Sequence, residues 1–266
     1  MKLRLDQELV RRGVVASRSQ AENYIRLGEV SVDGRAIMKP GFFVSENSEI
    51  KLNQDEQFVS RAALKLKSVA EKLKIDFTNK IVLDIGSSTG GFTEFALSRG
   101  AQKVIAIDVG TNQLHPKLRG RSDIELHEKT DIRDVVSSDA SRFEPRQSSD
   151  RNGVGQNGEK ERAIIQSLDL ILADVSFISL REILPHVAQN LCGRDTEIIA
   201  MVKPQFETGN RVKNAGVIKN DTERRKILHD FEIWARQYFI VKDKADSEIK
   251  GANGNQERFY LLRRLK

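Results

Sequence analysis

A single cysteine, Cys192, in 266 residues excludes an internal disulfide and any cysteine-rich zinc site, and it fits a reducing cytoplasm. The four histidines, His115, His127, His186 and His229, are scattered and show no metal-ligand spacing, so no metal is expected. No apolar run approaches membrane-spanning length. The opening segment MKLRLDQELVRRG has no apolar signal core. The sequence G-x-x-x-x-G-K-[ST] is missing, which excludes a P-loop. These absences leave a soluble, cytoplasmic chain.

The length suits one full α/β domain with a small companion. The net charge is +6, which permits a polyanionic partner. Residues 1–58 balance their charges, and the basic surplus lies in Arg61 to Lys74 and in the last quarter. Charge by itself leaves a well-solvated basic protein standing beside an RNA binder.

Residues 1–58 read as a small domain. Leu5, Leu9 and Val10 recur at helical spacing, as do Ala21, Tyr24 and Ile25 on a second helix that Ser17 or Ser19 could cap. Extended pieces follow at Val30-Val32, Val44 and Ile50-Leu52, with turns at Asp33-Gly34 and Pro40-Gly41. So short a segment makes a thin core. The larger domain occupies 59–266. Within it, residues 137–161 are polar and glycine-rich and read as a flexible insertion.

The most informative stretch is DIGSSTGG, Asp84 to Gly91. The apolar run Ile81-Val82-Leu83 ends in an acid and opens into a glycine turn. Phe92 to Ser98 can form a helix, and a second apolar run, Val104 to Ile107, again ends in an acid, Asp108. This is a strand–turn–helix–strand unit of an open parallel sheet, whose ligands bind at the carboxyl ends of the strands. An acid there can take both ribose hydroxyls. Relative to the dinucleotide fingerprint G-x-G-x-x-G, the middle glycine counted from Gly86 is Ser88. That favours S-adenosylmethionine, which carries no phosphate, over a dinucleotide. A glycine turn without a ligand is the third reading.

Four further residues stand out. Lys65 follows Ser60-Arg61 on a helix, Asp174 ends an apolar strand, Lys203 ends another in MVKPQFE, and Glu257 opens the last apolar segment. Two lysines and two acids suit one task, deprotonating or orienting a weakly acidic hydroxyl. A neighbouring ammonium and partial burial would bring a lysine toward general-base range, with the acids holding the amines.

The N-terminal pattern RLDQELVRRGVVASRSQAENYIRLGEVSVDGRAIMKPG resembles the RNA-binding domain shared by ribosomal small-subunit protein four, some pseudouridine synthases and tyrosyl-tRNA synthetases. The resemblance implies that Arg4, Arg11, Arg12, Arg18 and Arg26 face RNA phosphates; Arg61, in the basic stretch beyond, joins them as a candidate. The Lys-Asp-Lys-Glu set resembles that of ribose 2′-O-methyltransferases of the FtsJ/RrmJ type. FVSRAALKL, LDIGSSTGGFTEFAL, AIDVGTNQLHPKLR, ADVSFISLREILP, VKPQFE and IKGANGNQE, in this order, are similar to the TlyA family of ribosomal RNA cytidine 2′-O-methyltransferases, often labelled hemolysins. The resemblance implies a Rossmann-like class I methyltransferase sheet with a small α+β RNA-binding domain. It gives Lys65, Asp174, Lys203 and Glu257 the catalytic roles. It places Asp84, Gly86, Ser88, Gly90, Gly91, Phe92, Asp108 and Asp174 at the methyl donor. The family's asparagine-arginine pair is replaced by Asp131-Ile132-Arg133, with Asp131 carried over as acceptor for the adenine amino group.

The reading is an enzyme that moves a methyl group from S-adenosylmethionine to a ribose 2′-hydroxyl of ribosomal RNA, with Lys203 the leading candidate base. A catalytically silent RNA-binding assembly factor is the alternative. A membrane-active hemolysin finds no support in a chain 31% charged.

Overall fold

The computed structural model describes residues 2–15, 17–26, 28–52, 58–138, 163–208, 217–218, 220–251 and 254–265. The chain opens with β1 (Lys2–Arg4), α1 (Leu5–Arg11), α2 (Arg18–Arg26), β2 (Val30–Val32), β3 (Arg35–Ala36), β4 (Phe43–Ser45) and β5 (Ile50–Leu52). The Ser17 hydroxyl accepts from the Gln20 amide and so caps α2. Asp33 and Gly34 both take positive φ, 49° and 79°, which gives the tight β2–β3 hairpin its turn. β1 pairs with β4, and β5 with β2. β1 and β3 escape sequence reading because two or three residues carry no period.

The thin core expected of this segment does not stand alone. Leu5, Leu9, Tyr24, Ile25 and Val44 are buried in one cluster that continues through Phe58 into Ala63, Leu64 and Leu66 of α3 (Arg61–Ala70). Lys67 on α3 adds an ion pair to Glu29 at 2.7 Å.

After α3 come β6 (Ile81–Ile85), α4 (Gly91–Ser98), β7 (Lys103–Ile107) and β8 (Ile124–His127), then a separate parallel pair, β9 (Val135–Ser137) and β10 (Ala163–Ile165). Ser137 is buried in β9, so the polar insertion begins after it and not at it. Residues 139–161 lie outside the described residues. β11 (Leu170–Ala173), α5 (Leu180–Asn190), β12 (Glu197–Val202), α6 (Asp221–Ala235), β13 (Phe239–Asp246) and β14 (Arg258–Arg264) complete the chain.

Among the described residues the main sheet has seven strands in the order β13-β14-β12-β11-β6-β7-β8. β12, β11, β6, β7 and β8 run parallel, and the β13–β14 hairpin closes one edge antiparallel. Its central strands β6, β7, β11 and β12 are mostly apolar because both faces are covered, whereas the outer β8 and β13 carry charged residues. Val82, Val104, Leu170 and Ile199 meet α3 and α4; Leu83, Ile105, Ile171 and Ile198 meet α5 and α6. The strand order reverses between β6 and β11, and that switch point opens a crevice above the strand ends.

Candidate active site

The glycine turn follows β6 at this crevice. Gly86 has φ 79°, and a Cβ there would stand 2.7 Å from the Asp174 carbonyl oxygen, so only glycine lets the two strand-end loops meet. Ser88, where the dinucleotide fingerprint has glycine, also sits in the left-handed region, with φ 47°. Its amide donates to Asp108 Oδ2 at 2.8 Å, and the Gly110 amide donates to Oδ1 at 2.7 Å. Asp108 is thereby fixed at the end of β7. Gly90 serves packing: a Cβ would run into Leu114 and Leu118.

Asp84 corrects one expectation. β6 runs on through Ile85, so Asp84 lies inside the strand and not at its end. It is fully buried, and its Oδ2 accepts from the Thr93 hydroxyl of α4 at 2.6 Å. Its Oδ1 has no hydrogen-bond partner among the described residues. Burial pushes the carboxyl up to about 7; the Thr93 hydrogen bond opposes this, and the charges of Asp174 and Asp108 add to it.

Two adjoining cavities fill the crevice. The larger, about 350 Å3, holds Gly86, Ser88, Asp108, Asp131 and Asp174 against the apolar walls of Ile85, Ile107 and Ile183. The smaller, about 250 Å3, is polar and is lined by Arg61, Lys65, Asp84, Gly91, Phe92 and Lys203, among others. Asp174 borders both. Asp131 reaches the larger cavity with its carboxylate already in a fork with Arg133, at 2.9 and 2.6 Å.

The Lys-Asp-Lys-Glu set resolves into two ion pairs. Lys203 Nζ lies 2.6 Å from Asp174 Oδ1 and donates to Ser176 Oγ at 2.7 Å. Lys65 Nζ lies 2.8 Å from Glu257 Oε1. Each amine therefore has its own carboxylate. Lys65 and Lys203 both face the smaller cavity, whereas Glu257 stands behind Lys65 and does not line it. Glu257 arrives there because β14 is antiparallel to β12. Val202 pairs with Arg258, so the start of β14 lies beside the end of β12.

The sequence reading missed the loop after Asp174. Phe177 is 88% exposed, has φ 67°, and packs against Phe206 in a tilted pair, ring centroids 5.5 Å apart, at the rim of the larger cavity. An exposed aromatic in a strained backbone conformation beside a cavity is a feature of functional sites. The available signal was an aromatic three residues after a strand-end acid, in the stretch Asp174-Val175-Ser176-Phe177-Ile178-Ser179. Glu207 was missed too. It is buried, and it accepts from Ser179 Oγ at 2.6 Å and the Leu180 amide at 2.8 Å. Burial raises its carboxyl above the usual carboxylate range against those hydrogen bonds.

The candidate RNA-facing arginines divide. Arg4 and Arg18 both grip the buried Asp6 and remain partly exposed. Arg11 forks onto the buried Glu8, which that hydrogen bond holds down at about 2. Arg12 is spent on the fold: it bonds Glu8, the Ser48 carbonyl and the Glu46 carbonyl. Arg26 is exposed at the end of α2. Arg61 lies apart from this group, on the smaller cavity.

The family described as FtsJ-like methyltransferase matches residues 58–264, and the S4 domain matches residues 3–50. A Mycobacterium tuberculosis protein named 16S/23S rRNA (cytidine-2′-O)-methyltransferase TlyA is 35% identical over 98% of this chain and 89% of its own. A Campylobacter jejuni protein named 23S rRNA (cytidine-2′-O)-methyltransferase TlyA is 38% identical over 92% of this chain and 93% of its own. A solved Streptococcus thermophilus chain, provisionally described as a hemolysin, superposes with TM-score 0.65 at 31% identity, covering 100% of this chain and 89% of its own. Among the described residues no helix is long and apolar enough to cross a membrane.

Proposed function

The chain belongs to the TlyA family, an S4 domain joined to an FtsJ-like methyltransferase domain, and from that premise we propose that it methylates the ribose 2′-hydroxyl of a cytidine in ribosomal RNA. The observation that carries the reading is the convergence of Lys65 and Lys203, each held by its own carboxylate, on one polar cavity that opens beside the glycine turn.

The larger cavity suits S-adenosylmethionine. Asp108, Asp131 and Asp174 line it beside apolar walls. Three acids attract a cationic sulfonium and repel a pyrophosphate, which supports a methyl donor over a dinucleotide. Asp108 would take the donor's ribose hydroxyls, and Ile85, Ile107 and Ile183 would flank its base. When bound, the donor supplies a methyl group on a positively charged sulfur.

The chain's own residues do the rest. Lys203 faces the 2′-oxygen and, once its ammonium has given up a proton to solvent, the neutral amine receives the hydroxyl proton, with Asp174 and Ser176 fixing the amine. Lys65, anchored by Glu257, holds the ribose so that the oxygen stands in line with the methyl carbon. Phe177 offers an open ring face on which the target base stacks once it leaves its helix. The S4 segment supplies RNA affinity through partly exposed arginines. The test is to treat ribosomal RNA with the protein and labelled donor and map modified nucleosides by mass spectrometry. The expected product is 2′-O-methylcytidine. RNA that binds but gains no 2′-O-methyl group would favour an assembly factor.

A further inference from the structure

The loop after β11 and the loop after β12 are fastened together at three levels. Nearest the sheet, Lys203 reaches Asp174 and Ser176. Next along the two loops, Phe206 packs against Phe177 in a tilted ring pair. Farthest along the two loops, Glu207 accepts from Ser179 Oγ and the Leu180 amide at the start of α5, with Arg181 Nε 3.5 Å away. Glu207 is buried, so these are its own fixed partners and not a solvated surface contact. A carboxylate at this helix start also meets the positive end of the α5 dipole.

Phe177 lies between the first and third fastenings, and its φ of 67° is costly for a bulky side chain. Such a conformation persists only where the surroundings over-determine it. Asp174 fixes one end of the Ser176–Ser179 stretch through Lys203. The other end is fixed by Glu207. We propose that Glu207 is a positioning residue for the target nucleotide: it holds the α5 start so that Phe177 presents its ring at the rim of the larger cavity, one residue beyond Ser176, which borders both cavities. This rests on the RNA methyltransferase reading and assigns the residue to the RNA side of the site. Glu207 lines neither cavity and touches no group proposed to hold the donor.

The experiment is single-turnover methylation of ribosomal RNA by wild type, Glu207→Ala, Glu207→Gln, Phe177→Ala and the Glu207→Ala/Phe177→Ala double variant. S-adenosylhomocysteine affinity is measured by calorimetry, and amide exchange is followed across residues 175–181. Glu207→Ala should lose kcat/KM on the order of 100-fold, the scale of a misplacement of ~1 Å, with donor affinity unchanged. Glu207→Gln keeps one carbonyl acceptor and should recover part of the loss. In the Phe177→Ala background the Glu207→Ala change should add nothing, because both act through one ring. Losses that multiply, or a fall in donor affinity matching the fall in rate, would overturn the assignment. Exchange separates this idea from the reading beneath it. Wild type that methylates no RNA defeats the enzyme reading, whereas unchanged exchange at 177–181 in Glu207→Gln defeats the clamp. The glutamine variant carries the test by itself should the alanine variant fail to fold.

Discussion

Lys65 and Glu257 are 192 residues apart in sequence and form a buried ion pair with nitrogen and oxygen at 2.8 Å. Gly251 packs against the same carboxylate: a Cβ at that position would stand 2.6 Å from Glu257 Oε1. Removing one partner strands the other charge away from water. Glu257→Ala should therefore cost about 3–5 kcal/mol of stability, and the Lys65→Met/Glu257→Met double variant should recover much of it. Urea unfolding of the singles and the double decides this. A double variant as unstable as the sum of the singles would count against a coupled pair.

Lys203 has a different expected signature. Arginine keeps its charge and could still meet Asp174, but it cannot surrender a proton at working pH. Lys203→Arg should be as inactive as Lys203→Ala in single-turnover methylation, with RNA and donor binding retained. The wild-type rate should climb with pH and then level. Substantial activity in the arginine variant would reassign Lys203 to holding the ribose or phosphate.

Asp84 makes stability depend on pH. Its carboxyl is raised from an ordinary 3.8 to about 7 in the folded protein, chiefly by burial. The folded state therefore keeps a proton that the unfolded chain gives up above its lower value. The associated stability is fully present below the unfolded value and is lost as pH rises toward about 7. Asp84→Asn preserves an acceptor for Thr93 and removes the titration. Its melting temperature should gain on wild type at pH 8 relative to pH 5. Parallel shifts at both pH values would show that Asp84 does not titrate in this range.

The arginines of the S4 segment should separate by assay. Arg18→Ala should lower the slope of RNA affinity against salt by ~1, because one phosphate contact releases about one counterion. Arg12→Ala should instead lower the melting temperature and leave the salt slope unchanged, since its guanidinium ties α1 to the β4–β5 turn. A lowered salt slope in Arg12→Ala would return that residue to the RNA surface.

Much of the crevice at the strand ends was legible because it is local. In a parallel β/α sheet every strand points the same way, so the residue after each apolar run arrives at one edge whatever the strand order. Gly86, Asp108, Asp174 and Lys203 follow that rule. Asp84 was placed at the strand end, one residue too early, because Ile85 continues the apolar run that the acid interrupts. The start of the polar insertion was set one residue too early for a similar reason: Ser137 reads as loop, yet it is buried as the last residue of β9.

The sequence by itself determined the fold class, the two-part division in its family matches and the residue types of the site, because these depend on period, composition and motifs within a few turns of chain. Only the tertiary structure decided which acid serves which lysine. That pairing follows from strand order and from the reversed direction of β14, which brings Glu257 beside Lys65 and leaves Asp174 to Lys203. The same holds for Arg12 against Arg18, and for the Glu207 fastening over Phe177. Each is a contact between segments far apart in the chain, and the identity of a side chain carries no information about the partner that folding places against it.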